Sequence, residues 1–273
     1  MAPYLMILPA LAYLAVFYVV PFISLFRTSL SSMGGSVYMP KLTFAWDFSN
    51  YVDALSLYRE QILRSFGYAL CATLLCILLA FPLAYVIAFK AGRFKNLLLG
   101  LVILPFFVTF LIRTLAWKTI LADDGWVVSG LDAIGLLPPD GRLLSTSWAV
   151  IGGLTYNWII FMILPLYVSL EKIDARLLEA SKDLYATNRT MFRKVILPLT
   201  FPAVVAGSIF TFSLTLGDYI TPANVGTKQF IGNVVYSNFV SNLPLAAAIT
   251  TIPIVVMVIY LLIARKLGAF DHV

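Results

Sequence analysis

Charge is scarce in this sequence: Lys, Arg, Asp and Glu together make up 12% of its 273 residues. A soluble domain carries about 25% charged residues, so a water-exposed globule of this length is excluded. Histidine occurs once, at His272 beside the C-terminus, and cysteine twice, at Cys71 and Cys76. That leaves no cluster with metal-ligand spacing and no imidazole for buried acid–base work. The two cysteines share one apolar stretch, point in different directions on a helix, and read as small packing residues. A phosphate loop of the form Gly-x4-Gly-Lys-Ser/Thr is missing, so ATP chemistry would have to come from another subunit. The apolar stretches hold neither paired carboxylates nor a Ser/His arrangement, which argues against an intramembrane enzyme. No catalytic residue and no metal ligand is assigned.

What is present is apolar: 61% of the residues are hydrophobic and the mean hydropathy is +0.93. A membrane-spanning helix needs about 20 such residues in a row. The first 26 residues carry no charged side chain, giving a first span near 3–26. Further spans fall at 65–89, at 97–121 with Arg113 and Lys118 toward its far end, within 143–170 from about Ser147, and at 195–217. The stretch 229–264 holds a re-entrant or loop segment and then a sixth span near 243–264. Ala10-Leu11-Ala12 resembles a signal cleavage site, but no basic segment precedes it and the apolar run continues past it, so it reads as a retained span. The missing positive charge ahead of it points to a longer natural N-terminus.

With both termini on the inside, the inner segments 90–96, 171–198 and 265–273 hold 11 basic and 5 acidic residues. The outer segments 27–64, 113–142 and 218–228 hold 8 of each. The whole net charge of +6 then lies inside, as the positive-inside rule requires. Lys90, Arg93 and Lys95, in a short loop without an acid, give the clearest signal. The basic balance thus reflects topology, and nucleic acid need not be invoked.

The loop between the fourth and fifth spans is long and charged. Ile173, Leu177, Leu178, Ala180 and Leu184 fall near helical spacing, and Asp174 suits the cap of a first turn. A short amphipathic helix ending near Asn188 is expected, followed by Arg193, Lys194 and a span with Pro198 and Pro202 in its first turns. Within this loop, Glu179-Ala180-Ser181 opens and Val195, Leu197 and Pro198 close a pattern that resembles the signature loop of bacterial ABC importer membrane subunits. That pattern reads Glu-Ala-Ala, three residues, Gly, nine residues, Ile-x-Leu-Pro. Tyr185 stands at the Gly position. A bulky residue enters the left-handed region only with strain, so Asn188 is the candidate for that turn. Leu164-Pro165-Leu166-Tyr167, Glu171-Lys172-Ile173-Asp174, Leu216–Pro222 and Ile231-Gly232-Asn233 resemble the spermidine/putrescine permease subfamily, and the match runs from Asn50-Tyr51 to the last span.

The resemblance implies an all-α polytopic chain of about six spans with the type I ABC importer permease fold, forming one transmembrane domain over 1–273. It implies a multi-pass protein of the bacterial inner membrane that forms half of a polyamine path. Its partners would be a second homologous permease, two copies of a cytoplasmic ATPase that bind ATP and Mg, and a periplasmic or lipid-anchored solute-binding protein. In such importers the loop helix docks on the ATPase. Leu177, Leu178 and Leu184 would fill a groove there, Glu179 and Asp183 would meet basic or amide groups, and Ala180 and Tyr185 belong to the same surface. Four acids at 171, 174, 179 and 183 suit an anionic lipid surface poorly.

Ionisable groups at membrane depth are candidates for function. Asp218, Tyr219, Tyr156 and Trp158 supply the carboxylate and aromatic faces that a flexible polycation would use. The alternative leaves Asp218 at the outer interface, in water or paired with Arg113, with Pro222 breaking the helix. Arg113 reads as a snorkelling side chain near the headgroups with Trp117 as interface anchor. Facing the path instead, it would favour an anion such as sulfate or phosphate. Outside the membrane, Asp47 is expected to cap a short surface helix, and 123–142 to form a long loop with Pro138-Pro139, both landing surfaces for a binding protein. An ion-driven secondary transporter would show an internal repeat, and none is evident.

Overall fold

The computed structural model describes residues 2–36, 39–135, 137 and 141–266; His272, Pro138 and Pro139 lie outside them. The helices are α1 (Ile7–Ser29), α2 (Ser49–Leu57), α3 (Arg59–Lys90), α4 (Gly92–Phe107), α5 (Phe110–Ile120), α6 (Trp126–Ala133), α7 (Ser147–Trp158) and α8 (Ile160–Glu171). They continue as α9 (Ala175–Asp183), α10 (Asn188–Gly217), α11 (Ile220–Val225), α12 (Ile231–Ser241) and α13 (Leu243–Lys266). Four of them, α1, α3, α10 and α13, are long and apolar enough to cross a membrane alone. The third and fourth expected spans are bent pairs, α4 with α5 at 97° and α7 with α8 at 48°.

The break in the third span corrects the continuous helix expected there. Pro105 sits in its last tight turn and Val108 is extended, at φ −81° and ψ 137°. Prolines shape other helices more gently. Turns widened to i→i+5 occur at Ala15–Val19, ahead of Pro21, and at Phe192–Ile196, ahead of Pro198. A proline ring collides with the carbonyl four residues back, and a widened turn moves that carbonyl away. Span five consequently starts at Asn188, ten positions earlier than Pro198.

The chain divides into two compact units. One comprises Met1–Leu63 with Phe230–Val256. Its α1 leaves its apolar side chains exposed, as lipid or a partner helix would require. An antiparallel hairpin of β1 (Ser31–Ser36) and β2 (Met39–Phe44) follows, where the sequence suggests no element before the short helix from Asp47. Asn50, at the start of α2, ties the hairpin down by donating to the carbonyls of Ser29 (3.1 Å) and Ser31 (3.0 Å). Asp47 accepts from the Ser49 hydroxyl (2.6 Å) and amide (3.0 Å), and those bonds hold its carboxyl below the usual range.

The other unit, Arg64–Gln229 with Met257–Val273, holds the main core. Ala80, Ala84 and Ile87 of α3 meet Met162, Leu166 and Leu170 of α8, and Met191 and Ile196 of α10. Cys76 belongs to this core, whereas Cys71 is exposed, and both are free thiols. Between helices in lipid, packing rather than water release drives association, so close approach decides stability. Gly207 of α10 supplies it: a Cβ there would lie 2.7 Å from the Met162 Sδ and 3.2 Å from the Phe161 carbonyl oxygen. The segment expected as a long loop contains α6, and an Arg142–Asp123 ion pair at 3.0 Å closes it.

Candidate functional site

The helix α10 stops at Gly217 because Asp218 caps the next helix. Asp218 Oδ1 accepts from the amides of Ile220 (3.0 Å) and Thr221 (2.9 Å). Its Oδ2 accepts from the Thr221 hydroxyl (2.6 Å) and the Trp158 indole N–H (3.2 Å). Pro222 therefore does not make the break, contrary to expectation. It sits in the first turn of α11, where a missing N–H leaves no intrahelical bond unmade. Asp218 is 6% exposed, so the alternative that leaves its carboxylate in water is overturned.

Arg113 is likewise buried, which corrects the snorkelling expectation. Its Nη1 donates to the Asn157 carbonyl (3.2 Å), its guanidinium lies 4.8 Å from the Phe106 ring centroid, and its Nε has no partner. It does not pair with Asp218 directly. The two charges are linked through Asn157, which is wholly buried in α7. The Asn157 Nδ2 donates to Thr114 of α5 and to Thr221 of α11, both at 3.1 Å. Since Thr221 accepts there, its own proton goes to Asp218. Trp117, read as an interface anchor, donates its Nε1 to the Ala149 carbonyl (3.1 Å) and stacks its ring on Tyr156 at 5.6 Å. Gly153 makes room for that indole, since a Cβ would come within 3.0 Å of it.

Phe110, Trp158, Ser213, Leu214, Gly217, Asp218, Tyr219 and Ile220 line an open cleft of ≈ 290 Å³. Of the five path residues read from the sequence, Asp218, Tyr219 and Trp158 come together here, while Tyr156 and Arg113 are not among the lining residues. Sequence reasoning missed Asn157, Thr114 and Thr221. The available signal was an amide inside an otherwise apolar span, where an unsatisfied polar group is costly.

The charged loop forms a second surface. Asp174 caps α9 as expected, its Oδ1 accepting from the Arg176 amide at 2.9 Å. The helix ends where Tyr185 N–H bonds the Lys182 carbonyl (2.8 Å) and Ala186 N–H bonds the Ser181 carbonyl (3.0 Å). This paired closure normally uses a glycine in the left-handed region, and here Tyr185 takes φ 57°. The turn thus stays at Tyr185, and Asn188 instead opens α10 after a Thr187 cap. A side chain in that conformation costs about 1–2 kcal/mol relative to the right-handed one. Leu177, Glu179, Ala180, Asp183, Leu184 and Tyr185 are exposed; Leu178 turns inward with Ile173 onto the main core. At the root of the loop, Lys95 pairs with Glu171 and lies 5.5 Å from the Tyr167 ring centroid.

Several apolar helices of spanning length, two of them broken pairs, a cleft beside the end of α10, and a structured helix between the fourth and fifth spans fit a transport permease. The family model described as "Binding-protein-dependent transport system inner membrane component" matches residues 77–269, and the chain belongs to this family. It is 41% identical to the inner membrane ABC transporter permease protein YdcU of Escherichia coli (strain K12), over 78% of this chain and 72% of that one. It is 35% identical to the spermidine/putrescine transport system permease protein PotB of the same organism, over 94% of each. Among solved structures, a bacterial ABC transporter that imports the acidic polysaccharide alginate superposes with a TM-score of 0.70 at 19% identity, covering 98% of this chain and 94% of that one. The fold is the all-α type I permease fold, and the protein is the transmembrane, multi-pass inner-membrane subunit of an ABC importer.

Proposed function

We propose that this permease carries polyamines, passing them beside Asp218, Tyr219 and Trp158. The observation that carries this reading is a buried carboxylate on the wall of a cleft lined, apart from Ser213, by aromatic and apolar residues. An ammonium group gains from both a carboxylate and aromatic faces. The identity to a spermidine/putrescine permease over nearly the whole chain supports the same solute. Four donors already occupy the carboxylate, so an arriving ammonium displaces the Trp158 indole, whose bond at 3.2 Å is the longest of the four. The anion alternative needs Arg113 on the cleft, and Arg113 is not among the residues that line it.

In this reading ATP and Mg bind a separate pair of ATPase subunits, which grip the segment 171–198. A second, homologous permease completes the path, a periplasmic or lipid-anchored protein delivers the solute, and both termini face the cytoplasm. The partition of charge between the two sets of loops supports that orientation. Glu179→Lys should leave membrane insertion intact and uncouple ATP hydrolysis from uptake; normal uptake in that variant contradicts the docking. The solute is tested by labelled spermidine uptake in cells lacking the chain and in cells with it restored. Uptake that returns and yields to unlabelled putrescine, not to sulfate, is the expected result. Competition by sulfate, or no restored uptake, removes the polyamine assignment.

A further inference from the structure

We propose that Tyr185 is an anchor for the ATPase, held outward by a strained backbone that a glycine would relax. The inference rests on the reading that segment 171–198 docks on that subunit, and adds to it which side chain grips and why the turn tolerates it. Three observations converge on it. First, the hydrogen bonds that close α9 form the complete two-bond helix ending, which fixes residue 185 in the left-handed region whatever its side chain. Glycine is the residue with no penalty there, so a tyrosine is retained against the local preference of the backbone. Second, nothing in the described part of this chain compensates: Tyr185 is 96% exposed and the neighbouring Leu184 82%. Third, Leu177, on α9 two turns before this closure, is exposed as well, so apolar side chains stand uncovered both on the helix and on the turn that ends it. Leu178, the next residue, is turned onto the core.

A rigid aromatic side chain beside a leucine, both uncovered, has the makeup of an interface hot spot. A lipid surface is the rival occupant. Glu179 and Asp183, exposed on the same short helix, favour a protein partner over anionic headgroups.

The two effects of residue 185 have opposite signs, and that makes the assignment testable. The complex is purified in mild detergent with Tyr185, with Tyr185→Phe, with Tyr185→Gly and, as a reference, with Leu177→Asp. The fraction of ATPase retained and the thermal midpoint of the isolated permease are measured for each. Tyr185→Gly should raise the midpoint by a few degrees while ATPase retention drops about tenfold. Tyr185→Phe should match the parent in both. If Tyr185→Gly keeps the ATPase while Leu177→Asp loses it, the anchor is wrong and the docking reading survives. If neither variant loses it, the docking reading falls as well. A Tyr185→Gly permease with a lowered midpoint would overturn the strain argument.

Discussion

The ends of α9 and α10 meet opposite fates. At the end of α10, a buried carboxylate is closed off by donors from its own chain, and a distant arginine is tied to it through Asn157 and Thr221. At the end of α9, a leucine and a tyrosine stand uncovered on a turn that disfavours a side chain. The difference teaches where each region gets its order. The polar junction is completed by this chain's own donors, whereas the turn leaves its apolar side chains uncovered, which is what the proposed ATPase contact would cover.

The largest effect should come from removing the acceptor at the junction. Asp218→Leu leaves two amides, a hydroxyl and an indole without their acceptor. The expected loss is about 3 kcal/mol or more in detergent-phase unfolding, together with loss of uptake. Asp218→Asn keeps a capping oxygen, so it should fold and still raise the half-saturation concentration for spermidine about tenfold or more. A fold-competent Asp218→Asn with unchanged affinity would detach the carboxylate from the path.

Packing comes next. Gly207→Leu forces α10 off Met162 and Phe161 and should cost about 1–3 kcal/mol, read as a lowered thermal midpoint. Asn157→Leu removes the donors to Thr114 and Thr221 and should cost about 1–2 kcal/mol. Combined with Thr221→Val it should cost less than the two changes separately, because both act on one chain of bonds. The smallest effect belongs to the root of the loop: Lys95→Glu should change stability by under about 1 kcal/mol. The exchange Lys95→Glu with Glu171→Lys should return whatever coupling the single change loses.

The sequence was most legible where apolar runs and charge partition decide the outcome. Four spans, the α9 helix and its Asp174 cap follow from those two signals. The hairpin escaped because Ser31 to Ser36 is Ser- and Gly-rich, with no alternation to mark a strand. The break at Val108 escaped because a hydropathy reading merges α4 and α5 into one run, although Pro105 stood in it as a marker. Burial of Arg113 and the role of Asn157 depend on helix rotation and on contacts between α5, α7 and α11, which no single stretch encodes. Tyr185 was the reverse case: the residue argued against a left-handed turn, and the hydrogen bonds closing the helix overruled it.

Whether the ATPase covers the exposed face of α9 is read by a photo-crosslinking side chain placed at Leu177 in the intact transporter. The expected product is a crosslinked band containing the ATPase subunit, with a yield that changes when ATP is added. Crosslinking to lipid alone, in membranes where the transporter still takes up solute, would contradict it.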